Sequence, residues 1–121
     1  MRVLLIEDSP LLQEAILHFI RAVHPHALTD VVDNAPEAID HLNTFAYDYI
    51  MSDFHLRIGT GGDVLQHVRE YFALYITSSR FILMSGDLQP DILRLNHPLT
   101  FEKPLMPRQI RELLTSAPQG G

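Results

Sequence analysis

Cysteine is absent from this chain, which excludes both a disulfide framework and a thiolate metal site and suits a reducing compartment. The cytoplasm is the expected location. Positive charge is also scarce. Lys and Arg number 9 against 15 Asp and Glu, the formal net charge is -6, and no basic run interrupts the sequence. Electrostatic capture of nucleic-acid phosphates or of an anionic membrane is therefore disfavoured. The apolar run at the N-terminus, Val3 to Ile6, meets Glu7-Asp8 at once and is far too short for the hydrophobic region of a signal peptide or for a membrane span. Internal repeats and low-complexity segments are missing as well.

What is present is the composition of a self-sufficient domain. The 121 residues are 46% hydrophobic and 20% charged, enough to bury a core and too few for a second full domain. Residues 1–115 are expected to form that domain. Residues 116–121, ending in Pro118-Gln119-Gly120-Gly121, have the composition of a flexible tail or the start of a linker. Three short apolar runs, Val3–Ile6, Tyr49–Met51 and Phe81–Met84, read as strands buried on both faces. Ala27–Val32, less uniformly apolar, suits a sheet edge, and Leu99–Phe101 is a short fifth strand. Between them the spacing of Leu12, Ile16, Phe19, Ile20 and Val23, of Ala38, Ile39 and Leu42, and of Leu65, Val68 and Phe72 is helical. A last helix spans about Pro107 to Leu114. Ser9 before Pro10, and Asn34 before Pro36, are helix-start signals. Alternating strands and helices predict an α/β fold, a doubly wound five-stranded parallel sheet with helices on both faces.

In such a sheet, ligands bind beyond the carboxyl ends of the strands. The residues there are Glu7-Asp8, Ser52-Asp53, Ser85-Gly86 and Glu102-Lys103-Pro104. Crowded carboxylates repel one another unless a cation neutralises them, and an open cluster of Glu7, Asp8 and Asp53 suits Mg²⁺, which keeps several waters and takes few carboxylates. A carboxylate can attack phosphorus when a metal, an ammonium such as Lys103 and a donor such as the Ser85 hydroxyl neutralise the transferring oxygens.

Glu7-Asp8, Asp53, Ser85 and Lys103-Pro104, each following an apolar run and in this order, resemble the receiver domain of two-component response regulators (CheY-like) over nearly the whole chain. The resemblance implies the flavodoxin-like strand order 2-1-3-4-5. It implies Asp53 as phosphoacceptor, with Mg²⁺ held by Asp8, by Glu7 largely through water, by Asp53 and by the backbone carbonyl of His55. Ser85 and Lys103 would bind phosphoryl oxygens, and the backbone N–H groups of Phe54 and Gly86 would complete the cradle. Lys103-Pro104 would be a cis peptide. Ser85 and Phe101 would form a switch that couples the site to the face around the fifth strand. The implied partners are a sensor histidine kinase or histidine phosphotransfer protein upstream and a protein or output domain downstream. No enzyme activity is implied beyond Mg²⁺-dependent self-phosphorylation and autodephosphorylation.

Some features depart from that pattern. The interval from Ser85 to Lys103 is short by about one helical turn, so the helix between the fourth and fifth strands is expected to be stunted, with Asn96-His97-Pro98 before the fifth strand. The segment from Phe54 to Gly62 reads as an extended, mobile, glycine-rich loop, and it lacks the Lys-Ser/Thr ending of a P-loop. Met106 is a poor cap for the last helix. Tyr71, Phe72 and Tyr75 read as the end of a core-packed helix, and the side chains of His24 and His26 (about Pro25), His55 and His67 as exposed polar groups rather than metal-binding imidazoles. Two other functions stay open. One is an aspartyl phosphatase or phosphotransferase of the haloacid-dehalogenase kind, against which stand the non-acidic His55 and the placing of Asp53 on the third strand. The other is a phosphorylation-independent interaction module.

Overall fold

A computed structural model describes residues 1–78 and 80–115; residues 116–121, expected as tail or linker, lie outside the described residues. The chain runs β1 (Arg2–Ile6), α1 (Pro10–Val23), β2 (Leu28–Val32), α2 (Ala35–Thr44), β3 (Tyr49–Asp53), α3 (Gly61–Tyr71), α4 (Leu74–Thr77), β4 (Phe81–Ser85), α5 (Pro90–Leu93), β5 (Thr100–Glu102) and α6 (Pro107–Thr115). All strand pairs are parallel and the order is β2-β1-β3-β4-β5. This is the doubly wound sheet that the alternation of apolar runs predicted. The mixed sequences of β2 and β5 lie at its two edges.

The three central strands read as unbroken apolar runs because both of their faces are covered. Alternate side chains go to opposite sides. Leu4, Ile6, Ile50, Phe81 and Leu83 meet the buried faces of α2 and α3 through Ala38, Leu42, Val64 and Val68. Val3, Leu5, Met51, Ile82 and Met84 meet α1 and α6 through Ile16, Ile20, Ile110 and Leu114. Helix starts follow local chemistry. The Ser9 side chain accepts the Leu12 N–H and the Asn34 side chain accepts the Glu37 N–H at 2.9 Å.

The segment after β3 is shorter and better anchored than its glycines suggested. Gly61 and Gly62 are the first residues of α3, because Thr60 and Asp63 form a reciprocal capping box. Arg57 pairs with Asp33 at 3.0 Å, and its backbone N–H reaches the Asp33 carbonyl. A Cβ on Gly61 would lie 2.4 Å from the Asp53 carbonyl oxygen, so glycine here allows the helix to start directly against the end of β3.

Beyond Tyr71 the chain does not continue as the single core-packed helix expected from its aromatics. It breaks at Phe72, the C-cap residue of α3, and makes the separate turn α4. Phe72 and Tyr75 still pack on the core, while Tyr71 is exposed. The helix between β4 and β5 is a single turn, α5, as the short interval predicted. Asn96 follows with φ 51, and His97 is buried with its Nε2 donating to the Phe81 carbonyl at 2.6 Å. The cap of α6 is served in reverse: the Gln109 side chain accepts the Met106 backbone N–H at 2.8 Å, and Pro107 opens the helix.

Substituting Gly61→Ala is expected to cost about 1–3 kcal/mol in urea unfolding, as overpacking against rigid backbone does. Gly62→Ala, where the added methyl meets side-chain atoms at 3.3 Å, should stay within about 1 kcal/mol of the parent because alanine favours the helix. Equal losses at the two sites would contradict the close approach assigned to Gly61.

Candidate functional site

The parallel register brings the ends of β1, β3 and β4 to one level: Ile6 lies opposite Ser52, and Asp53 opposite Met84. Glu7 and Asp8 follow the first of these strands, and Asp53 ends the second. Carboxylate oxygens of Glu7, Asp8 and Asp53 lie within 4.8 Å of one another. Glu7 is fully buried, Asp53 nearly so, and Asp8 is exposed. Around Glu7, the Gln13 side-chain amide donates to its backbone carbonyl at 2.7 Å, and the Ser9 N–H donates to its carboxylate at 3.2 Å.

Lys103, just after β5, supplies the positive charge. Its Nζ is 2.6 Å from Glu7 Oε1 and 2.9 Å from Asp53 Oδ2, with little exposure to solvent. The backbone N–H of Lys103 donates to the Ser85 carbonyl at 2.7 Å, and the Lys103-Pro104 bond is cis. Burial pushes the Glu7 carboxyl above its usual pKa, against the Lys103 and Ser9 hydrogen bonds that pull it down. Burial opposes the Lys103 ammonium, but its hydrogen bonds to Glu7 and Asp53 and their charges prevail and hold its pKa above the ordinary lysine value.

Other predicted site residues are placed differently. The Ser85 hydroxyl donates to the Asp87 carbonyl at 2.7 Å and accepts the Asp87 N–H at 3.2 Å, so it is engaged in its own loop. The Phe54 N–H, expected in a phosphoryl cradle, donates to the Met84 carbonyl at 2.8 Å; the β3–β4 ladder has taken it. Gly86 has open space where a side chain would stand. His55 follows Phe54 with its ring exposed, edge-on to the Phe54 ring at 5.1 Å. Phe101 is half-buried against the α1–α6 side of the core. Gln13 and Asp87, not singled out in the sequence, are the added members. Gln13 shows only as a polar residue on the first turn of an amphipathic helix, and Asp87 gives no sequence signal at all.

The donor set fits magnesium on its chemistry. It is three carboxylates open to water at Asp8, with no nitrogen or sulfur ligand, which is how a hard cation with retained waters is held. His24 and His67, by contrast, make structural contacts: His24 Nε2 donates to the Leu114 carbonyl at 2.7 Å, and half-buried His67 meets Asn43 at 3.0 Å.

No protein-family profile and no curated protein matches the chain. Solved structures do. A chemotaxis response regulator of Vibrio cholerae superposes with TM-score 0.75 at 18% identity, over 93% of this chain and 94% of that one. The receiver domain of a sensor histidine kinase from Pseudomonas aeruginosa, with a magnesium ion coordinated in its active-site cleft, gives 0.78 at 20% identity, over 93% of each chain. RcsB of Salmonella enterica serovar Typhimurium, bound to a promoter in the presence of a phosphomimetic, gives 0.73 at 15% identity over 94% of this chain and 66% of its own length. The chain therefore has the CheY-like receiver fold, a flavodoxin-like sheet of order 2-1-3-4-5. Among the described residues, no helix is long and apolar enough to cross a membrane.

The raised Glu7 pKa makes a stability contribution that is complete below the ordinary value of 4.5 and is lost as pH rises through the folded value. Lys103, also raised, contributes stability that is complete below 10.5 and lost as pH rises through its own folded value. Lys103→Met should cost about 3–5 kcal/mol at neutral pH in chelator, since two buried carboxylates then face each other without a cation. Part of that loss should return near pH 5. Urea unfolding of both proteins at the two pH values checks this, and a pH-independent difference would refute it.

Proposed function

We propose that this chain is a phosphoacceptor receiver domain acting in a cytoplasmic two-component phosphorelay, with Asp53 as the acceptor. The observation that carries the reading is the Lys103 ammonium 2.9 Å from Asp53, inside a cluster with Glu7 and Asp8 at the carboxyl edge of a receiver-fold sheet. The magnesium in the cleft of the Pseudomonas aeruginosa receiver supports the same ion here. Glu7, Asp8, Asp53 and the His55 carbonyl would hold it, and when bound it neutralises charge on the phosphoryl oxygens.

An Asp53 carboxylate oxygen forms a bond to phosphorus while the N–P bond of a donor phosphohistidine breaks, and the freed imidazole nitrogen takes a proton from solvent. Lys103 pairs with one phosphoryl oxygen. The Ser85 hydroxyl leaves the Asp87 carbonyl and donates to another, and Phe101 turns inward as Ser85 moves. The donor is a sensor histidine kinase or a histidine phosphotransfer protein. Output passes to a protein partner or to a domain outside this chain. Apart from its own phosphorylation and dephosphorylation, the domain has no turnover.

Incubation with Mg²⁺ and acetyl phosphate should add one phosphoryl group to the intact mass, and chelator or Asp53→Ala should abolish it. A phosphoryl group that persists in Asp53→Ala would remove Asp53 as acceptor. No gain, together with no spectral response to beryllofluoride, would leave a receiver-fold interaction module independent of phosphorylation.

A further inference from the structure

Asp8 is the acid of the cluster that no side chain holds. It is exposed, and among the described residues its carboxylate makes no hydrogen bond or ion pair, whereas Glu7 and Asp53 both meet Lys103. A carboxylate oxygen of Asp8 nevertheless lies within 4.8 Å of those of the other two acids. Its place is therefore set by the backbone on either side of it.

That backbone is pinned at Glu7. β1 pairs with both neighbouring strands as far as Ile6, and the Glu7 N–H still donates to the Val32 carbonyl at 2.9 Å. The Glu7 carbonyl, one atom short of Asp8, lies past the ladder and accepts from the half-buried Gln13 side chain at 2.7 Å. On the other side of Asp8, the Ser9 N–H returns to the Glu7 carboxylate at 3.2 Å, and Ser9 itself is extended, with φ -87 and ψ 117, as a residue before proline prefers. Gln13 is the fourth residue of α1, and long helical side chains point back toward the helix N-terminus, so its amide meets a carbonyl earlier in the chain than the helix itself. It is also a donor without charge. A lysine or arginine making the same bond would set a cation beside the place of a divalent ion and repel it; an amide does not.

We propose that Gln13 is a positioning residue of the magnesium site: by holding the Glu7 carbonyl it fixes the peptide between Glu7 and Asp8, and so keeps the Asp8 carboxylate beside those of Glu7 and Asp53. It acts through Glu7 and Asp8 and touches neither the ion nor the phosphoryl group. This rests on the metal reading of Glu7, Asp8 and Asp53 given above.

The test titrates Mg²⁺ into the ¹⁵N-labelled full chain and follows the backbone amides of residues 7–9 and 52–54. The wild type should saturate. Gln13→Met, which keeps the length of the side chain and its helix propensity but loses the donor, should weaken Mg²⁺ by about tenfold or more, the range found when the partner of a metal ligand is removed. Thr44→Val is the control for a merely structural bond. It removes a side-chain hydrogen bond of the same 2.7 Å length, to the Asp40 carbonyl at the C-terminal end of α2 and away from the acids, and should leave the Mg²⁺ affinity unchanged. In the metal-free wild type, one Gln13 side-chain N–H proton should resonate downfield of a solvent-exposed amide. A Gln13→Met affinity no weaker than that of Thr44→Val, or Gln13 side-chain shifts equal to those of a solvated amide, would overturn the proposal. The second readout needs only the wild type, so it decides even if Gln13→Met does not fold. Wild-type protein without saturable Mg²⁺ binding would overturn the metal reading itself, and the role of Gln13 with it.

Discussion

The contact on which the carboxyl edge of this domain depends is the Lys103 ammonium lodged between Glu7 and Asp53. Three carboxylates whose oxygens lie within 4.8 Å repel strongly, and burying two of them removes the solvent screening that would soften the repulsion. One cation placed in the same low-dielectric pocket answers both charges. The same contact joins a residue just after β5 to residues at the ends of β1 and β3, so strands far apart in sequence close on one point. The parallel register sets the strand ends level, and the charges then hold them.

Around that pair the backbone is used economically. The Phe54 N–H serves the sheet, the Gly61 N–H returns to the Phe54 carbonyl, and α3 starts where a side chain on Gly61 would collide with β3. Ser85, in contrast, is held by Asp87 rather than by Asp53. The Asp53 carboxylate and the Lys103 ammonium are thus already assembled, while the nearby Ser85 hydroxyl is engaged elsewhere. That local turn rests on two hydrogen bonds, which open at modest cost. The single-turn α5 and the buried His97 beyond it make the β4–β5 connection compact; His97 Nε2 donates to the Phe81 carbonyl, its buried Nδ1 has no partner among the described residues, and burial lowers the pKa of the ring.

The two ends of the sheet carry opposite chemistry. The carboxyl end gathers acids and one lysine. The amino end gathers rings: Arg2 lies 4.0 Å over Phe45 and pairs with Asp30, which also accepts the Tyr47 hydroxyl. Burial there pushes the Tyr47 phenol up, helped by Asp30. For Asp30, burial works against ionisation, but hydrogen bonds from Tyr47 and Arg2 prevail and hold its carboxyl below the usual range.

Most of the fold was legible because its signals are local or periodic. Val3–Ile6 and Phe81–Met84 are apolar at every position only because both faces are covered, and Ser9 and Asn34 mark helix starts through their own hydrogen bonds. The ends of those strands named Glu7, Asp8, Asp53, Ser85 and Lys103 for the same reason: in a parallel sheet, residues just past a strand's carboxyl end stand at the ligand edge. Two readings along the chain failed. Gly61 and Gly62 looked like loop until Thr60 and Asp63 capped them as helix. Phe72 and Tyr75 looked like one helix until the core drew both in around a break. Element order, the sheet edge and the identity of the clustered acids and lysine could all be read from the chain alone, because periodicity and strand ends are written along it. That Lys103 bridges Glu7 and Asp53 and that Ser85 faces Asp87 came only from the folded arrangement, because each depends on distances between groups that no spacing along the chain encodes.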